Sequence, residues 1–267
     1  ELFVLKLVNH STFETYKKIS NFIDYVEARR GTGEIKQNTI PLNMSFGSPV
    51  PHLIALEVIE KALNAGVLPI VAMGNSGSVL INYPAAYPGV VAVGSTNGKD
   101  ELSYFSSKGQ HISIVAPGEA IMSLSQKSAE HYRTLHGTSM AAPFVCGTIS
   151  YLMSFEPSLN PFQVKTILED TADKIGSNDV FNVRRGYGRI NVYEAVKQAR
   201  NKEATKSKFF RASLKIEASP YSPQNVVCIY REGGVCVFCS RFKSDGSVTL
   251  KGLLPGKYQV VLNTDAK

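Results

Sequence analysis

No apolar run in this sequence approaches the roughly 18 residues that a membrane-spanning helix requires. No membrane span is therefore expected. Residues 1–8, reading Glu-Leu-Phe-Val-Leu-Lys-Leu-Val, also lack the layout of a secretion signal. Cysteine is scarce, with four residues in 267, too few for a dense disulfide framework. The only close pair is Cys236 and Cys239, and no second pair completes a zinc site and no helix start follows it. Burial or a local bridge is the expectation there. Acidic residues are outnumbered by basic ones, 22 to 29, for a formal charge of +7. The basic residues are scattered up to a stretch from Lys197 to Arg211, which has the character of a solvated linker rather than a binding helix with interleaved aromatics. A nucleic-acid partner is not expected.

What is present is alternation. Residues 1–8 read as a buried strand, and Phe13, Tyr16, Ile19, Phe22, Ile23 and Val26 follow at helical spacing until Gly31-Thr32-Gly33. A strand over 39–44, a helix over 53–64, and strands over 67–73 and 90–94 repeat the theme. Helices are also expected after Ser139, over 162–171 and over 192–199. This order predicts an α/β fold with a mainly parallel, doubly wound sheet. Beyond Arg200 five short β-rich runs alternate with turn signals at Gly233-Gly234, Asp245-Gly246 and Pro255-Gly256. A partial catalytic domain over 1–200, a linker over 201–208 and a small antiparallel β-sandwich module over 209–267 are expected.

The most informative segment is Gly137-Thr138-Ser139-Met140-Ala141-Ala142-Pro143. It sets a serine between a glycine turn and an apolar helix, so the helix dipole and free first-turn amides would stabilise an alkoxide and an oxyanion. Pro143 is read as a first-turn proline, where the missing N–H is harmless. A second position is Asn75, in Ala72-Met73-Gly74-Asn75-Ser76-Gly77, where an apolar strand ends in a glycine-flanked turn.

The string Gly137 to Pro143 resembles the serine signature of the subtilase family. The resemblance extends through Ala116-Pro117-Gly118 and the segment from Tyr83 to Gly94 back to Asn43-Met44-Ser45-Phe46-Gly47, and covers roughly residues 1–200. It implies a serine endopeptidase acting on polypeptides through an acyl-enzyme on Ser139, with Asn75 as an oxyanion donor. It also implies that Ser45, Phe46 and Gly47 pair with substrate backbone and that Ala72, Met73 and Gly74 form the opposite wall of a pocket for large apolar side chains, from which Phe46 and Asn82 depart, the latter lending the pocket floor polarity. No cofactor is required for such chemistry, structural calcium held by the carbonyls of Ala85, Tyr87 and Val90 is conceivable in such a fold, and export from the cell is implied. A weaker likeness, through Gly252 to Val260, links the last module to carboxypeptidase-regulatory or immunoglobulin-like sandwiches.

The family's aspartate and histidine motifs are missing. His10, His52, His111, His131 and His136 all lack the expected context, and His136 reads as an ordinary rim residue. The expectation is that both motifs lie upstream of residue 1. The alternative is a non-catalytic relative used for binding.

Overall fold

The computed structural model describes residues 2–7, 11–125, 128–176, 180–201, 212–217, 226–231, 235–241, 247–253 and 258–263. The linker over 201–208, apart from Asn201, lies outside the described residues, as do His10 and the three turn signals of the last module.

Four parallel strands, β1 (Ile40–Met44), β2 (Val67–Ala72), β3 (Val91–Thr96) and β4 (Ile114–Pro117), form one sheet in the order β1-β2-β3-β4. Alternate side chains leave the sheet on opposite faces. Leu68, Ile70, Val91, Val93, Ile114 and Ala116 pack against α3 (Thr138–Phe155), α4 (Pro161–Asp170) and α5 (Val192–Arg200). On the other face Val67, Val71, Ala92 and Val115 meet α1 (Thr12–Gly31) and α2 (Leu53–Asn64). Both faces are covered, which is why every residue of β2 and β3 is buried rather than alternate ones. The doubly wound α/β expectation holds.

The helix bounds follow local chemistry. Ser11 and Glu14 form a capping box at the start of α1, and Asn160 and Gln163 form another at α4, where Pro161 occupies the first turn. An antiparallel hairpin of β5 (Ile121–Ser125) and β6 (Ser128–Leu135) leads directly into α3. Periodicity gave no sign of it, because Met122, Leu124 and Tyr132 are all exposed and leave no apolar-in, polar-out alternation to read.

The buried strand expected over residues 1–8 does not form over residues 2–7, the part of it that is described. Residues 2–7 are described without ladder partners, and Leu2 and Val4 are 89% and 81% exposed. Phe3 instead lies against the rings of Phe22 and Tyr25. Among the described residues β1 is the sheet edge, pairing with β2 alone, and a groove of about 680 Å³ lined by Phe3, Leu5, Phe22, Ile40, Leu42 and Met153 adjoins both segments. Apolar residues are enough to suggest a strand, but a strand exists only with a neighbour to bond.

In the last part of the chain, β7 (Ala212–Glu217) pairs with β10 (Ser247–Leu253), while β11 (Tyr258–Asn263), β8 (Val226–Arg231) and β9 (Val235–Arg241) form a three-stranded sheet. All pairings are antiparallel. The five strands fall where the sequence placed them.

Candidate active site

Two strand ends and one helix start converge at the C-terminal edge of the parallel sheet. β1 runs into Ser45, β2 runs through Met73 into Asn75, and α3 begins beside both. Gly137 caps α3 with φ 147°, a conformation that favours glycine. An added Cβ there would come within 3.2 Å of the Asn75 Nδ2, so glycine also permits the close approach.

Asn75 is locked by its neighbour. Its Oδ1 accepts hydrogen bonds of 2.9 Å from both the backbone N–H and the hydroxyl of Thr138. The amide is thereby oriented, and Nδ2 donates to no acceptor among the described residues. Thr138 Oγ1 in turn accepts from the Gly74 N–H at 3.2 Å. Ser139 is half-buried and lies in the first helical turn, where backbone amides have no intrahelical acceptor. Its hydroxyl donates to the Ser45 carbonyl at 3.4 Å. The arrangement offers a hydroxyl nucleophile with two polarised donors beside it, the Ser139 N–H and the Asn75 Nδ2.

Pro143 is not in the first turn. It is the sixth residue of α3, so its absent N–H deprives the Ser139 carbonyl of its helical partner. Ser45 supplies the replacement: its hydroxyl donates to that carbonyl at 3.0 Å while accepting from the Asn43 amide at 3.0 Å. The proline thus ties the nucleophile's backbone to the end of β1.

The matching sequence profile is that of the Subtilase family, over residues 6–188. The chain belongs to that family. Subtilisin of Bacillus pumilus is 33% identical over 198 residues, which is 73% of this chain and 67% of that protein. Subtilisin E of Bacillus subtilis is 32% identical over 198 residues, but only 48% of its length is covered. Among solved structures, fervidolysin from Fervidobacterium pennivorans, a keratinolytic enzyme related to subtilisin, shares the fold at a TM-score of 0.71 and 23% identity, with 92% of this chain and 38% of that chain covered. A protease of Pseudoalteromonas arctica gives 0.55 at 26% identity over 60% of this chain and 51% of that one. The subtilase chain thus spans two thirds or less of these relatives.

The remaining predicted site residues of this subtilase surround Ser139 unevenly. Ser45 touches it directly. Phe46 is half-buried and tilts its ring toward Tyr16, and Gly47 is exposed and abuts the Tyr83 carbonyl. Ala72 and Met73 are buried. Gly74 has φ +105, and an added Cβ would strike the Asn82 amide at 2.4 Å and the Ser107 hydroxyl at 3.1 Å. Asn82 also donates to the Met73 carbonyl at 3.3 Å. Thr138 and Ser107 were not assigned roles from sequence. Thr138 had a legible signal, a hydroxyl next to the nucleophile, whereas Ser107 is brought in only by folding.

No histidine approaches Ser139 by hydrogen bond among the described residues. His136 is exposed, and its Nδ1 accepts from the Ala120 N–H at 3.2 Å, in keeping with a rim position. His111 lies below the ordinary imidazole value of 6.5 because burial disfavours its cation, and its Nε2 is buried without a partner among the described residues. Below pH 6.5 the unfolded chain takes up a proton that the folded chain resists, so acidification weakens the fold. The thermal midpoint is expected to fall between pH 7 and pH 5, with a shallower fall in His111→Gln. Parallel profiles for the two proteins would remove His111 from the acid response.

Proposed function

We propose that this subtilase chain supplies the nucleophile and oxyanion site of a serine endopeptidase, with the general base and its orienting aspartate contributed by sequence outside these 267 residues. The observation that carries the reading is the double anchoring of Asn75 Oδ1 on Thr138, which leaves Nδ2 free beside the first-turn amide of Ser139. A purely structural serine cap would need no such second donor.

In this mechanism the base removes the Ser139 proton as Oγ attacks the scissile carbonyl carbon. The carbonyl π electrons move to oxygen, and the resulting oxyanion receives hydrogen bonds from Asn75 Nδ2 and the Ser139 N–H. Collapse expels the amine, protonated by the same imidazole, and leaves an acyl-enzyme that water hydrolyses by the reverse proton traffic. Donors fixed before reaction stabilise charge without reorganising, which is where their catalytic effect arises. Ser45 to Gly47 and Ala72 to Gly74 would flank the substrate strand, and Asn82 under Gly74 makes the groove floor polar. No step requires a metal. Polypeptide substrates and an extracellular setting complete the reading.

The test is to treat the complete gene product with a fluorophosphonate. Labelling should map to Ser139 and vanish in Ser139→Ala. A full-length protein that stays unlabelled would favour the alternative, a non-catalytic binding relative.

The division into a catalytic part over 1–200 and a module over 209–267 belongs to the same proposal. It is supported by the change from parallel α/β to antiparallel strands on either side of α5. Residues 198–208 carry four basic residues and, past the end of α5 at Arg200, no apolar periodicity, the composition in which nicking concentrates. Limited proteolysis should cut first between Gln198 and Phe209. Deleting residues 206–267 from the full-length enzyme should leave short-peptide turnover within a few-fold, and a folded but inactive truncation would show the module to be part of the active unit.

A further inference from the structure

The geometry points to a disulfide between Cys228 and Cys239 that leaves Cys236 unpaired. Close sequence spacing favours a different pair, Cys236 with Cys239, but backbone register decides against it.

β8 and β9 are antiparallel, and Cys228 stands directly opposite Cys239. Opposed residues on such strands have Cα atoms about 4.5–5.5 Å apart, inside the roughly 4.4–6.8 Å that a disulfide spans. The other two combinations fail on distance. Cys236 and Cys239 are three residues apart on one strand, about 10 Å at the usual strand rise. Cys236 stands opposite Tyr230, two residues along β8 from Cys228, with a register shift in between. That is a diagonal relation of about 7–8 Å, beyond what a bridge tolerates without backbone movement.

The pleat supports the same assignment. Val227 and Ile229, on either side of Cys228, are fully buried, so strand alternation puts Cys228 and its opposite residue Cys239 on the other face. The two thiols lose two protons and two electrons to a small disulfide such as oxidised glutathione, which leaves as two thiols. The new bond links β8 to β9 and restricts the unfolded state of this part of the chain. Cys146 stands apart in α3, free and half-buried, with its thiol pushed up to about 11 by burial despite a backbone hydrogen bond at Asn43, so it is a poor competitor in thiol exchange.

The experiment uses the 267-residue chain equilibrated with oxidised glutathione, alkylated and digested with trypsin. Cleavage after Lys215, Arg231 and Arg241 separates Cys228, in residues 216–231, from Cys236 and Cys239, both in residues 232–241. The expected result is a linked pair of these peptides with the alkyl group on Cys236, retained in Cys236→Ser and lost in Cys228→Ser. A loop within residues 232–241, a Cys228–Cys236 link, or three alkylated cysteines would each overturn the assignment.

Discussion

The 267-residue chain by itself is expected to hydrolyse peptides no faster than its Ser139→Ala variant. A serine hydroxyl is a weak nucleophile until a base within hydrogen-bond reach accepts its proton. Here the hydroxyl hydrogen bond of Ser139 goes to the Ser45 carbonyl, an oxygen too weakly basic to serve. Among the described residues no histidine is hydrogen-bonded to Ser139. His52 stands at the start of α2, His136 accepts the Ala120 N–H on Nδ1, His111 is largely buried with Nε2 unpartnered among the described residues, and His131 lies on the β5–β6 hairpin. In subtilisin, a relative, loss of the catalytic histidine lowers kcat by roughly 2 × 10⁶, a magnitude carried over from that enzyme. Turnover of a chromogenic peptide and fluorophosphonate labelling both check the expectation. Rapid labelling of Ser139 in this chain would mean that one of its own histidines serves as base.

In the complete enzyme, Asn75→Ala should lower kcat by about 10²–10³ with little change in KM, a magnitude that again comes from the corresponding amide of subtilisin. The direction follows from the geometry here. Thr138 holds Oδ1 through two hydrogen bonds, so Nδ2 is aimed rather than adaptable. A fixed donor best serves the oxygen after it has moved and charged, not the planar carbonyl of the bound substrate. Truncation therefore removes an interaction made in the transition state. A rise in KM at constant kcat would recast Asn75 as a ground-state binding residue, and unchanged kinetics would remove it from the mechanism.

Much of this was legible in the chain alone, for a local reason. Strand and helix periodicities and the Gly137 to Pro143 string are properties of near neighbours in sequence, so α1, α2, β1, β2 and the five strands of the last module could be placed before folding was known. Ser139 and Asn75 could be named together only because their short contexts resemble those of the subtilase family.

Tertiary structure alone decided matters of long-range pairing. Residues 2–7 carry strand-like composition yet have no ladder, because a strand is completed by a neighbour and the edge of β1 bonds none of them. Pro143 looked harmless, but its place in the sixth helical position matters because Ser45, 94 residues away, takes over the Ser139 carbonyl. Thr138 becomes the clamp on Asn75 only when the ends of β2 and the start of α3 meet across 63 residues. Cysteine pairing follows the same rule: sequence distance favours Cys236 with Cys239, whereas strand register opposes Cys228 to Cys239. Hydrogen-bond donors and acceptors are written in the sequence, but which of them face one another depends on chain segments brought together by a buried sheet whose apolar faces must both be covered.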